Sequence, residues 1–363
     1  MDWTTLGVLG TLATNLANSA VQRATLTALA DLASRDPAEL RAFLDEHPAL
    51  ASQFSKYPPA PESVSEWWAS VNDPAAQQAL VSAAPVILGS LGGLPPLVRV
   101  AANRENAMAR LSDLEEEITK RERAMERGGR FSTPSDGLAL EALREKLRME
   151  GPHLERAAEG QVQLYLYEPD ADRIIEMVGT PTETTTDTIT YIPGTFTSEH
   201  SFYDDSAGSV REVVSYLNHT DPDIVGFVWK DGIFPGEAED GSVDMLRITE
   251  ANDPALSETA GNRVAAFQRE IIASSSSIAE STKIGMGHSW GITPVLFAEE
   301  AGAHFDQVHS LAGAGIPNGW EEASGTTYDN WGYRDALTMA QQTGLVWDGN
   351  VPGNNPAFES HVG

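Results

Sequence analysis

The chain has 363 residues, with 24 Lys+Arg against 53 Asp+Glu and a formal net charge of −29. So acidic a chain lacks the clustered cations that displace counterions from nucleic acid, and anionic lipid headgroups would repel it. It contains no cysteine, which excludes a disulfide framework, a thiolate metal site and a cysteine nucleophile.

With 41% apolar and 21% charged residues the chain is expected to fold around a core, and its length suggests two domains of roughly 100–200 residues each. The stretch Met1–Gln22 carries Asp2 and no basic cluster, so it lacks the charged start of a secretory signal. Its apolar run Leu6–Leu16 is interrupted by Gly7, Gly10, Thr11, Thr14 and Asn15. No segment reaches the ~20 consecutive apolar residues that a membrane-spanning helix needs. A soluble chain, cytoplasmic by default, is expected, with export by a route that cleaves no signal left open.

Charge divides the chain. Residues 1–160 hold 16 basic and 22 acidic side chains, whereas residues 161–363 hold 8 and 31. A heavily solvated surface explains the acidity of the second part; salt adaptation or repulsion of anionic substrates is the functional alternative. Residues 1–160 read as a helical region. Gln22–Ala33, Pro37–Phe43, Pro74–Ala83 and Pro96–Glu117 space apolar residues by three and four. Pro37, Pro74 and Pro96 stand where helices tolerate a missing N–H, and Asp73 is placed to cap the helix opened by Pro74. Residues 104–127 are dense in both charge signs and break at Gly128-Gly129; a second charged helix, Gly137–Ala158, follows the Ser132–Ser135 turn. Together they predict a charged, coiled-coil-like helical hairpin, more plausibly an exposed structural element than a surface for a protein partner.

From Gln161 the periodicity changes. Gln161–Tyr167, Arg173–Val178, Thr188–Ile192, Ile224–Trp229, Lys283–Met286 and Gln307–Leu311 read as strands. Ser206–Leu217, Glu258–Ala273 and Trp290–Ala301 read as helices between them. Strands alternating with helices predict right-handed crossovers and a mainly parallel α/β sheet over residues 161–363.

Gly287-His288-Ser289-Trp290-Gly291 has the G-x-S-x-G form. It follows a short apolar strand and opens an apolar helix, the strand–turn–helix setting of a nucleophile elbow. Glycines flank the turn because side chains there would clash. The strained turn would lift the Ser289 hydroxyl above the sheet, where a helix N-terminus favours developing negative charge. A helix-capping serine is the structural alternative. Tyr191-Ile192-Pro193-Gly194-Thr195-Phe196-Thr197 ends an earlier strand. In this architecture one oxyanion N–H follows the nucleophile and another comes from the loop after the third strand. Those are the backbone groups of Trp290 and of Thr195 or Phe196.

A triad of this kind runs Ser, then acid, then His along the chain. After Ser289 the histidines are His304, His309 and His361. His304 and His309 sit where structural roles are expected, and His361 has the right order for the base. Asp348, in a Trp-Asp-Gly-Asn turn, is the expected acid; Asp329, Asp335 and Glu359 are the other carboxylates in that region. His288 is expected to point away from the hydroxyl, and His200 to be solvent-exposed or to line the pocket. No metal-ligand spacing and no phosphate-binding glycine loop occurs, so no cofactor is implied. The reading is hydrolysis of a small-molecule ester or related acyl compound. A catalytically impaired scaffold that binds a partner is the alternative.

Several segments also resemble a known group. They are Ser65-Glu66-Trp67-Trp68, Gln77–Leu80, Ala83–Gly89, Leu91-Gly92-Gly93-Leu94-Pro95, Arg99 and Ala102-Asn103-Arg104, followed by Tyr191–Thr197, Gly226–Gly236 and Lys283–Gly291. In this order they are similar to actinobacterial α/β-hydrolases whose catalytic domain was long catalogued only as a domain of unknown function. The resemblance covers roughly residues 60–345. It implies a serine-hydrolase fold with Ser289 as nucleophile and Thr195/Phe196 in the oxyanion loop, and says little of substrate. The chain departs from that pattern late: Leu345 falls near the acid position, and the family's closing Gly-His pair with its tyrosine is missing. A longer parent protein or a lost late triad is the expectation that follows.

Overall fold

The computed structural model describes residues 18–128, 134–206, 208–238, 240–332 and 347–362. The Leu6–Leu16 run, Gly129, Ser132 and Thr133 of the Ser132–Ser135 turn, Asp335 and Leu345 lie outside them. Among the described residues six helices come first: α1 (Ser19–Arg35), α2 (Pro37–Glu46), α3 (Ala49–Lys56), α4 (Pro61–Ser70), α5 (Pro74–Ala83) and α6 (Pro85–Ser90). Their starts follow local chemistry. Asp36 accepts hydrogen bonds from Ala38 N and Glu39 N, and Asp73 accepts one from Ala75 N, each just before a proline at the first helical position. Their apolar faces close one core around Leu26, Leu40, Phe54, Trp67, Trp68 and Leu80.

Two long helices follow, α7 (Pro96–Gly128) and α8 (Pro134–Ala158). Arg110 pairs with Glu150 and Glu122 with Arg144, an order that makes them antiparallel partners. This is the hairpin that the charge pattern predicted; its second helix starts three residues earlier than expected and ends at Ala158 as expected. It is not free-standing. Ala107 and Leu114 of α7 and Leu154 and Ala157 of α8 are buried against strand residues Leu164, Ile174 and Ile189. At the start of α7, Arg99 is 1% exposed; it donates to Gly89 O, pairs with Glu270 at 3.0 Å and lies 4.0 Å over the Tyr165 ring. Asn103 bridges Gly89 O and Tyr165 O. The Arg99/Asn103 segment therefore joins the helical region to the sheet, whereas Trp67 and Trp68 lie in the core of the helical region.

The sheet has eight strands: β1 (Gln163–Glu168), β2 (Arg173–Val178), β3 (Asp187–Ile192), β4 (Ile224–Asp231), β5 (Thr282–His288), β6 (Gln307–Leu311), β7 (Thr327–Gly332) and β8 (Glu359–Val362). Their spatial order is β1-β2-β4-β3-β5-β6-β7-β8. β2 is antiparallel to both neighbours, and β4 through β8 pair in parallel. The arrangement is α/β-hydrolase-like. The remaining helices are α9 (His200–Tyr203), α10 (Glu212–Thr220), α11 (Pro254–Ser274), α12 (Ser276–Glu280) and α13 (Ile292–Glu300). α11 and α13 bury Val264, Phe267, Ile271, Val295 and Leu296 on one face. α7, α8, α9 and α10 cover the other with Ala107, Leu154, Phe202 and Val214. Because β3 through β8 run the same way, the loops leaving them gather at one edge, where ligand sites of open α/β sheets lie.

Burial leaves a pH signature. Glu299 on α13 accepts from Trp320 Nε1 and Tyr328 Oη, and Glu199 accepts from Tyr203 Oη; neither faces a cation in hydrogen-bond contact. Desolvation pushes both carboxyls up to about 7. A carboxyl raised on folding adds stability below its ordinary value and loses it as pH rises through the folded one. His153, fully buried, is held down to about 3 by desolvation and Arg211, and acts oppositely below the ordinary histidine range. Lowering pH from about 8.5 to about 6.5 should thus raise the melting temperature, and Glu299→Gln should shrink that rise. A calorimetric series that shows a flat or falling melting temperature across this window contradicts the assignment.

Candidate active site

β5 is central in the sheet, between β3 and β6, and its last residue is His288. The chain then turns sharply: Ser289 has φ 51°, a left-handed backbone that a non-glycine residue adopts only when its surroundings hold it there. A 3₁₀ turn, Ser289–Gly291, leads directly into α13. The flanking glycines are required by contact. A Cβ on Gly287 would lie 2.3 Å from Ile292 N, and one on Gly291 would lie 2.1 Å from Ile192 O. Trp290 anchors the turn, fully buried, with its indole N–H donating to Ser257 Oγ at 2.9 Å and its ring 4.8 Å from that of Phe234. On the other side Ala314 N donates to Ser289 O at 2.9 Å. Among the described residues the Ser289 hydroxyl takes part in no hydrogen bond, and it is partly accessible.

The loop after β3 closes on this turn. A Cβ on Gly194 would sit 3.0 Å from both Ser289 Cβ and His288 Nδ1, tighter than an ordinary contact, so the absence of a side chain there eases the close approach of Pro193-Gly194-Thr195 to the serine. Of the expected oxyanion donors, Phe196 is already occupied: its N–H donates to Pro235 O at 2.8 Å, and its φ of 69° turns it away into the loop after β4. The Thr195 N–H has no backbone acceptor among the described loop hydrogen bonds. Trp290 N–H heads the helix that starts at the elbow, where first-turn donors have no intrahelical partner. Of the expected donors, Thr195 and Trp290 are the two for which the described loop hydrogen bonds give no backbone acceptor.

The acid and base stand elsewhere. His361 lies in β8 and pairs in register with Trp331, Trp331 pairs with Leu311, and Leu311 pairs with His288. That is three strand steps of about 4.8 Å each, against the ~3 Å that proton transfer from Ser289 requires. His361 Nε2 is instead 2.7 Å from Asp329 Oδ1, and its ring stacks on Trp331 at 4.2 Å. His309, on the neighbouring strand, lies 3.8 Å from the other Asp329 oxygen. Asp348 is exposed with φ 51°. Its neighbour Trp347 donates to Ala251 O, and Asn350 O accepts from Ile316 N. That loop rests on the segments after β4 and β6, and Asp348 makes no contact with His361. The structure therefore pairs His361 with Asp329 rather than Asp348, and among the described residues no hydrogen bond or ion pair joins any of the three to Ser289. His304 is exposed beside Asp306. His288 makes no hydrogen bond to Ser289. His200 lines a cavity bounded by Glu199 and by the loop after β4. Among the described residues there is no cluster of three or more His, Cys, Asp or Glu able to hold a metal ion, and no helix is long and apolar enough to cross a membrane.

No family model matches the chain. No curated protein matches it either. Among solved structures it is similar to a dienelactone hydrolase-like promiscuous phosphotriesterase from metagenomic libraries, with 11% sequence identity, a TM-score of 0.31, and coverage of 52% of this chain and 75% of that one. What the site can do rests on its own residues.

Proposed function

We propose that the chain is a serine hydrolase acting on an ester or related acyl compound. The observation that carries this reading is Ser289 itself, left-handed at φ 51° at the carboxyl end of the central strand, with Gly194 pressed against it. In the proposed reaction the Ser289 oxygen adds to the acyl carbonyl, its proton passes to a base, and the carbonyl oxygen becomes an anion between the Thr195 and Trp290 N–H groups. Collapse expels the leaving alcohol, and water then frees the acid. Release of p-nitrophenol from p-nitrophenyl acetate tests it. Ser289→Ala should bring turnover down to the uncatalysed background, with its melting temperature unchanged. Equal turnover by the folded variant would sink the proposal.

A second reading has its own support. Among the described residues no imidazole reaches Ser289, and His361 is engaged with Asp329. A hydrolase scaffold of low or no activity, serving as a binding protein, fits that arrangement. It expects no ester turnover from the wild-type chain.

A further inference from the structure

The segment after β4 leaves and rejoins the wall of the candidate active site. Its first limb touches the oxyanion loop: Phe196 N donates to Pro235 O, and a Cβ on Gly236 would lie 2.2 Å from the Phe196 ring. Gly236 O then accepts from Asp244 N at 2.8 Å. From there the chain runs as 3₁₀ turns, Met245–Asn252. Asp244 Oδ1 opens them by accepting from Leu246 N, and Glu250 Oε2 ties them back by accepting from Gly236 N. The far end returns to the elbow. Ala251 O accepts from Trp347 Nε1, a Cβ on Gly315 would lie 2.2 Å from the Trp347 ring, and Ala314 N donates to Ser289 O. Between these anchors Val243, Met245, Leu246 and Ile248 are all exposed, Leu246 to 90%. Exposed apolar side chains scattered singly are ordinary; a run of them on one short strap marks a binding surface.

We propose that this strap binds the alkyl chain of the acyl group that Ser289 attacks, which makes the substrates uncharged esters of medium or long acyl chains. The assignment to an acyl group rests on the serine-hydrolase reading. Two observations choose the occupant. The strap is anchored at one end on Phe196, next to Thr195, and at the other on the loop that holds Ser289 O, so its apolar side chains adjoin the place of the reacting carbonyl. Its charge turns away ions. Arg247 is the only basic residue in positions 232–253, and it pairs with Glu250 at 2.8 Å. A free carboxylate or a phosphate headgroup would meet acids there and a cation already engaged. The acids in turn serve their own loop: Asp240 accepts from Ser242, Asp244 from Leu246 N and Asp253 from Ala255 N. An uncharged hydrocarbon disturbs none of these bonds and gains by covering Leu246 and its neighbours.

Hydrolysis of p-nitrophenyl acetate, butyrate and octanoate by the full chain, with calorimetric titration of 1-octanol and 1-butanol beside it, tests the proposal. From acetate to octanoate kcat/KM should rise about tenfold or more, and 1-octanol should bind about tenfold or more tightly than 1-butanol. Leu246→Ser/Ile248→Ser should bring both ratios to within about twofold of one. Leu246→Ser alone, at a side chain with little packing to lose, is the deciding variant if the double one fails to fold. Tyr216→Ser, on an exposed side chain of α10, should leave both ratios as in the wild type. The alcohols need no chemistry, so the two readings separate. Octanol binding that is lost in the variant, with no ester turned over, keeps the strap as an alkyl-binding site and sinks the hydrolase reading alone. Three results overturn the strap: esters turned over without chain-length preference, octanol bound no better than butanol, or either preference unchanged in the folded variants.

Discussion

Replacing Gly291 by alanine is expected to slow any reaction of Ser289 by about 100-fold, the effect of moving a reacting group by roughly 1 Å, and to cost about 3 kcal/mol of stability. The reason lies in the backbone. The new methyl would sit 2.1 Å from Ile192 O and 2.6 Å from Pro193 O, and neither carbonyl is the end of a flexible side chain. Relief requires the β3 exit to separate from the elbow, which moves Thr195 N–H away from the oxygen it would hold. Stability and chemistry should therefore fail together. Gly137→Ala is the matched control: its Cβ meets nothing within 4 Å on α8, and helix propensity should make it neutral or stabilising by up to ~1 kcal/mol. Denaturant melts and ester turnover on both variants check the pair. A Gly291→Ala protein as stable and reactive as wild type would show that the two segments are not in contact.

Replacing Lys230 by methionine is expected to destabilise the fold by about 3–5 kcal/mol. Lys230 is fully buried, its ammonium held by Asp172, Glu237 Oε2 and Gly232 O and lying 5.1 Å over the Phe234 ring. Methionine fills the space but removes the cation beside Glu237, whose carboxyl desolvation already pushes up to about 7, so that group is left buried without its partner or must take up a proton. The diagnostic is the double variant. Adding Glu237→Gln removes the stranded carboxyl, so Lys230→Met/Glu237→Gln should recover much of the loss, and the coupling energy from the four-protein cycle should be large. Additive effects would mean that the pair contributes nothing as a pair.

How much of this was open to sequence reading follows from where each element sits. β2 and β6 were legible to the residue, and β4 and β5 nearly so, because buried strands show as short β-branched and apolar runs. β7 and β8 were not read. Thr-Tyr-Asp-Asn-Trp-Gly and Glu-Ser-His-Val sit toward the sheet edge, half-exposed, and carry no hydrophobic signal. That one omission hid the His361–Asp329 pair, which exists only through the register of those two strands. The helix expected at Ser206–Leu217 forms later, at Glu212–Thr220. The elbow was legible because its constraint is local: Gly287 and Gly291 are there for contacts a few residues away or one strand over. The loss of Phe196 as an oxyanion donor was not, since Pro235 O, which takes its N–H, arrives from a different loop.

The central claim is that the turn after β5 carries the reactive group. Labelling with a fluorophosphonate and mapping the adduct by peptide mass spectrometry tests it most directly. The adduct should fall on Ser289, in the tryptic peptide between Lys283 and Arg334. His361→Ala should label at the wild-type rate, because that imidazole serves Asp329 and lies three strands away. No adduct on the folded wild-type chain, or an adduct on any other residue, would contradict the account.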